Sequence, residues 1–224
     1  MPPQYLAEFK ELHFRWDSLM RELKEGLCYD AFSTGYSARE EVFLDLFKSY
    51  SESQRSYHTP THWLNCWKEL DTVLPLVENP FALKWGLAEH DSVYFPERKD
   101  NEEKSVEQLV KDSVRIKLPQ DLILASKKIV QVTDHKTRPL TLDECFAVDI
   151  DLSIFGKSEE VFDTYEVGIK KEYSFVEEQA FRSGRAKVLK SFLERKSVYY
   201  TPIFREKYEV AARKNLERSI QKLT

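Results

Sequence analysis

Arg55-Ser56-Tyr57-His58-Thr59-Pro60-Thr61-His62 is the stretch from which the fold of this chain is read. Thr59 is of the N-cap type, and Pro60 fits the first helical position, where its missing N–H leaves nothing unpaired. His62 then lies in the first turn of a helix that carries Leu64, Trp67 and Leu70. The same device recurs at Asn79-Pro80, opening a helix with Phe81, Leu83 and Leu87 that runs to His90-Asp91. Thr141 with Glu144 forms a capping box before a helix carrying Asp149 and Asp151.

The remaining pattern is helical too. Tyr5, Leu6, Phe9, Leu12, His13, Trp16, Leu19, Met20 and Leu23 recur at helical spacing, and Gly26 ends the run. Ser37 with Glu40 has the capping-box form ahead of Val42-Phe43-Leu44. Asp100 or Asn101 caps a helix through Val106 and Val110, and Pro119 opens another through Leu122, Ile123 and Ile129. From about Glu159 the chain predicts two or three long helices, with a break at Pro202. No repeat, low-complexity tract or linker interrupts it. The expectation is an all-α chain with one domain over residues 1–224. Helices of 1–50 would pack on a core of 51–156, and 157–224 would supply the last helices.

Composition narrows the function classes. The 224 residues are 42% hydrophobic and 13% aromatic, enough for a sizeable core. Six glycines are too few for a glycine-rich phosphate loop or a turn-rich β design. No apolar run reaches membrane-spanning length, and Met1-Pro2-Pro3-Gln4-Tyr5 lacks a signal-peptide pattern. Cys28, Cys66 and Cys145 are isolated and predict buried thiols in a reducing, cytoplasmic setting. Net charge is −4, yet residues 182–224 hold twelve Lys+Arg against four Glu, a local balance of +8. Such a segment would favour an anionic substrate if it faced the site.

His58, His62, His90, Asp91, Asp149 and Asp151 supply imidazole and carboxylate in the order His, His-Asp, Asp. That donor set suits a divalent transition metal, or a harder ion with water in its open positions. On a regular helix Asp149 and Asp151 point to different faces, so both cannot easily bind one ion.

The ordered set His62, His90-Asp91, Asp151 resembles the HD superfamily of metal-dependent phosphohydrolases. Arg55-x-Tyr57-His58-x-x-x-His62 is similar to the opening block of one bacterial-type branch of it. His90-Asp91-Ser92-Val93-Tyr94 with Asp100-Asn101-Glu102-Glu103 resembles the second block, and Asp149-Ile150-Asp151-Leu152-Ser153-Ile154-Phe155-Gly156 the third. Phe181-Arg182-Ser183-Gly184-Arg185, Arg195, Tyr200-Thr201 and Arg213-Lys214-Asn215-Leu216 resemble its C-terminal signature. The likeness covers the chain from about Arg55 onward. Where the branch has an aromatic pair before His-Asp, this chain has Ala88 and Glu89.

The resemblance implies a helical bundle around one central divalent ion (Mn, Fe, Co, Ni, Zn or Mg), with His62, His90, Asp91 and Asp151 as ligands. His58 would lie in the substrate pocket or behind the ligands. It also implies hydrolysis of a phosphate ester or anhydride of a small phosphorylated molecule, with nucleotides the first candidates. Asp91 would touch the attacking water, and Glu102 and Glu103 are the candidate proton-transfer groups. Both glutamates also suit a helix start on dipole grounds alone. Arg55, Arg185 and Lys127 are candidates for phosphate, each with a plainer reading as a salt-bridge partner or exposed helical face. His135 is expected in a loop. The alternatives are a catalytically inactive HD-like protein that binds metal or nucleotide, a nucleic-acid binder and a metal-dependent oxygenase. The overall acidic balance opposes nucleic-acid binding, and the short supply of ligands opposes a two-iron oxygenase.

Overall fold

The structure is a computed structural model that describes residues 2–26 and 36–224. Among these, regular structure is entirely helical: ten α-helices with short 3-10 turns and no strand. The helices are α1 (Leu6–Gly26), α2 (Tyr36–Tyr50), α3 (Pro60–Val73), α4 (Pro80–Glu89), α5 (Asn101–Arg115), α6 (Gln120–Val132), α7 (Leu142–Asp151), α8 (Glu159–Glu172), α9 (Glu178–Leu193) and α10 (Pro202–Leu223). The all-α expectation is met. Cys28 lies outside the described residues. No helix of the described residues is long and apolar enough to cross a membrane.

Contacts divide the chain into two compact units, Met1–Ala147 and Val148–Thr224, and the division falls inside α7. The first unit is built on large aromatic residues. Trp16 of α1 packs on Phe43 of α2 and Trp85 of α4, with ring centroids 5.8 and 5.4 Å apart, and Phe43 meets Trp63 of α3 at 6.0 Å. All four rings are buried, so the stripes seen in the sequence are core faces. Proline and capping residues set the helix starts as predicted. Pro60 is the first residue of α3, and Thr59 is its N-cap by position, without a capping bond from its side chain. Asn79 caps α4, its side-chain oxygen accepting from the Ala82 N–H. At α7 the Glu144 N–H donates to Thr141 Oγ1, while the Glu144 carboxylate takes the Leu140 N–H. Asp143, on the same turn, accepts the N–H groups of Glu78 and Asn79 and so ties the entry of α4 to α7.

Two further cap assignments differ. Ser37 lies inside α2, where its hydroxyl donates to Glu41, and Glu40 turns to His13 of α1 instead. Asp100 is the N-cap of α5 by position, but its carboxylate pairs with Arg98 and caps nothing.

The second unit is organised around the 3-10 turn Leu152–Gly156 and α10. Asn215 donates to the carbonyls of Phe155 and Lys157, and the Tyr199 hydroxyl donates to that of Leu152. Phe155 packs on Phe162, Tyr165 and Phe192. Five of the twelve basic residues of the tail pair with acids of their own unit. Lys214, Arg218 and Lys222 reach Glu159 and Asp163 of α8, Arg185 reaches Glu166, and Arg213 reaches Glu209.

In the first unit α4 packs closely against α6 at Gly86. A Cβ built on Gly86 would stand 2.4 Å from Cγ2 of Ile129 and 3.1 Å from the Ser126 carbonyl. Gly86→Ala is therefore expected to lower the melting midpoint, with a stability loss of about 1–3 kcal/mol typical of overpacking. Unchanged urea and thermal melts would show that α4 and α6 can separate without cost.

Candidate metal centre

α3 delivers His62 from its first turn, and α4 delivers His90 at its C-cap with Asp91 directly after it. The Nε2 atoms of His62 and His90 are 3.0 Å apart. Asp91 Oδ2 lies 3.1 Å from His90 Nε2 and 3.4 Å from His62 Nε2. Ligand atoms held ~2.1 Å from one ion stand roughly 3.0–3.4 Å from each other, across right-angle to tetrahedral spacings. The three distances fit one shared ion. Cys66, one turn after His62 on α3, adds a sulfur 3.7 Å from His62 Nε2. His62, Cys66 and His90 are all buried, and their ligand atoms lie within 4.8 Å of one another. His62, Cys66 and His90 could hold a metal ion, with the Asp91 carboxylate beside them. Cys66 is the donor that the motif pattern does not mark. Its signal was the four-residue spacing from His62, which puts both on one helix face.

The surroundings fix the imidazoles for ligation. His90 Nδ1 lies 2.9 Å from the Leu87 carbonyl, which can only accept, so Nδ1 carries the proton and Nε2 turns its lone pair to the site. His62 Nε2 faces the same point from the first turn of α3. Burial opposes ionisation of Asp91, but His90, His58 and His62 together hold its carboxyl well below the usual carboxylate range. The site thus offers a carboxylate anion and two imidazole nitrogens.

The other candidates fall in different places. His58 is half-buried, with its ring stacked 4.0 Å from that of Tyr94 and 5.7 Å from that of His62. Glu102 is half-buried and Glu103 exposed, in the first turn of α5. Asn101 and Ser105 on either side of them bond Phe95 and Val93, in the loop that follows Asp91. Arg55 is buried, and its guanidinium donates to main-chain carbonyls. Lys127 is half-buried on α6. Arg185 belongs to the second unit, bonded to Tyr165 and Glu166. His135 follows α6 with a left-handed φ of 56°. Asp149 accepts from the N–H groups of Tyr200 and Thr201 and from the Thr201 hydroxyl, each at 2.7 Å, so it anchors the start of α10. Burial pushes its pKa up to about 6 against those bonds. Asp151 is the last residue of α7.

Comparison with family models, with curated proteins and with solved structures finds no match to this chain.

Glu89 departs from ordinary core chemistry. It is fully buried, and no well-formed hydrogen bond reaches either carboxylate oxygen. Burial, reinforced by the Asp112 carboxylate and opposed by the Ser92 hydroxyl, holds its pKa well above the usual range. A carboxyl raised in the folded state stabilises fully below its unfolded pKa of about 4.3 and loses that contribution as pH rises through the folded value. Glu89→Gln needs no proton at that position. In the metal-free protein the melting midpoint of E89Q relative to wild type is therefore expected to rise steadily from pH 4 to pH 8. A difference that stays flat over this range would place the Glu89 carboxylate in contact with water.

Proposed function

We propose that the protein is a metal-dependent phosphohydrolase acting on a phosphate ester or anhydride of a small phosphorylated molecule, with nucleotides as the first class to test. The observation that carries this reading is the convergence of His62 Nε2, His90 Nε2 and Asp91 Oδ2 within 3.4 Å, with His90 held in the ligating tautomer. In this reading His62, His90 and Asp91 hold the ion. The ordered motif blocks, and the HD resemblance they carry, support the choice of phosphoryl chemistry.

A bound divalent ion supplies charge neutralisation at a phosphoryl oxygen and makes water a stronger acid. The residues of the chain do the rest. Asp91 stays ionised at the pH of the reaction and orients water beside the ligands. Tyr50, fully buried, has its phenol pushed up by burial and stays neutral, so its hydroxyl serves as a fixed hydrogen-bonding group. His58, half-buried and stacked on Tyr94, is the candidate for meeting substrate. Glu102 and Glu103 stand on the helix that buttresses the loop after Asp91 and are the candidates for moving a proton.

The test joins elemental analysis with a phosphatase screen. Wild type, His90→Ala and Asp91→Ala would be loaded with several divalent ions and offered nucleoside mono- and triphosphates and a chromogenic phosphate ester. Bound metal and release of phosphate or pyrophosphate are expected in wild type, with release at background in both variants. Metal without turnover would favour the inactive, ligand-binding reading. A folded wild type that takes up no ion would end the hydrolase proposal.

A further inference from the structure

Arg55 has the composition of a phosphate clamp and the surroundings of something else. Its side chain has 0% exposure. Nη1 donates to the carbonyl of Asp91 at 2.7 Å and to that of His58 at 3.2 Å, and Nη2 donates to that of Ser92 at 3.3 Å. Nε faces the Glu52 carboxylate at 3.4 Å. The guanidinium lies 5.2 Å from the centroid of the Tyr50 ring and 5.5 Å from that of Tyr94. Two of the carbonyls belong to the segment that carries His90 and Asp91, and the third lies just ahead of the helix that carries His62. A single planar group therefore spans both ligand-bearing segments.

Tyr50 acts on the same place from α2. Its hydroxyl accepts the Asp91 N–H at 3.3 Å and lies 3.5 Å from His90 Nδ1. The backbone of Asp91 is thus gripped at its N–H by Tyr50 and at its carbonyl by Arg55.

We propose that Arg55, acting with Tyr50, is the positioning residue of the metal centre and does not bind phosphate. The role rests on the cluster being a metal site. Turning the guanidinium toward a phosphate would strip donors from three carbonyls that have folded around it, and a buried acceptor without a donor is costly. Lysine keeps the charge but cannot repeat the planar fork, so Arg55→Lys separates geometry from charge.

Cobalt(II) would be titrated into metal-free wild type, Arg55→Lys and Tyr50→Phe, following its visible absorption and stoichiometry. Melts of the metal-free proteins would run alongside, and inorganic phosphate would be titrated into each cobalt-loaded form. R55K is expected to stay folded and to bind cobalt about 10- to 100-fold more weakly, as losses of outer-shell partners typically do. Its visible spectrum should change, because the ligands sit differently. Y50F should shift both readouts in the same direction by less. Phosphate affinity of the loaded protein should stay the same.

Wild-type cobalt affinity and spectrum in R55K would overturn the proposal. So would a loss of phosphate affinity with cobalt binding intact, which would return Arg55 to the substrate. If R55K fails to fold, Y50F decides, since it keeps the ring against the guanidinium: an unchanged affinity and spectrum there is equally fatal. Wild type that takes up no cobalt removes the metal site and this role together, whereas cobalt uptake indifferent to both variants removes this role alone.

Discussion

Two imidazole nitrogens 3.0 Å apart, with a carboxylate oxygen 3.1 and 3.4 Å from them, form an arrangement that needs positive charge among them. A proton on one Nε2 would satisfy a single nitrogen pair. A divalent ion would satisfy all three atoms at once. The environment favours the second solution. The Leu87 carbonyl keeps the His90 proton on Nδ1. Burial of the cluster then strengthens the attraction between Asp91 and any cation it holds. Much of the first unit can be understood as a frame for this constraint. Tyr50 stacks on Trp63 at 5.3 Å beside the cluster, Trp63 meets Phe43, and Phe43 meets Trp16. The ligand-bearing ends of α3 and α4 stand on an aromatic core that leaves little room for adjustment.

The parts of the fold legible in the sequence are those fixed by local chemistry. Pro60 and Pro80 begin helices because proline at a first helical position sacrifices no hydrogen bond, and Asn79 caps because its side chain reaches the Ala82 N–H without outside help. The Ser37–Glu40 pattern has the letters of the same motif, yet each side chain finds another partner. Glu40 is drawn to His13 on a different helix, at 2.9 Å, and Ser37 turns to Glu41. The Glu41 partner is local, but that of Glu40 lies 27 residues away on another helix, where the motif gives no sign of it. The division into two units was hidden for a related reason. It lies within α7, and a continuous helical pattern carries no mark of where one set of contacts ends and another begins.

The site shows the same boundary between local and tertiary information. His62, His90 and Asp91 could be named because their order and helix placement are sequence properties. The Arg55 partners could not be. Carbonyl and phosphate oxygens ask the same thing of a guanidinium, and only burial tells them apart. Asp149 is engaged by the start of α10, and two residues along a helix point in different directions. The partners of Asp149, the N–H groups at Tyr200 and Thr201, come from fifty residues farther on and could not have been guessed. Glu89 is the reverse case. Its oddity was visible as a letter beside His90, but its meaning lies in the absence of hydrogen bonds around it.

The charge of the last helices shows why a sum over a window is a poor guide to electrostatics. Residues 182–224 carry an excess of +8, which suggested a field able to draw an anion. The compensating acids sit just upstream on α8, where Glu159, Asp163 and Glu166 take Lys214, Arg218, Lys222 and Arg185. Arg182 is turned the other way, to the carbonyls of Lys222 and Leu223 at the end of α10. These contacts sew α8, α9 and α10 together and shorten the reach of each charge to its own pair. If the chain acts on a phosphorylated molecule, the attraction that matters is then local to the ion and its ligands. Electrostatic selection would rest on how Tyr50 and Arg55 hold Asp91, and not on the net charge of the tail.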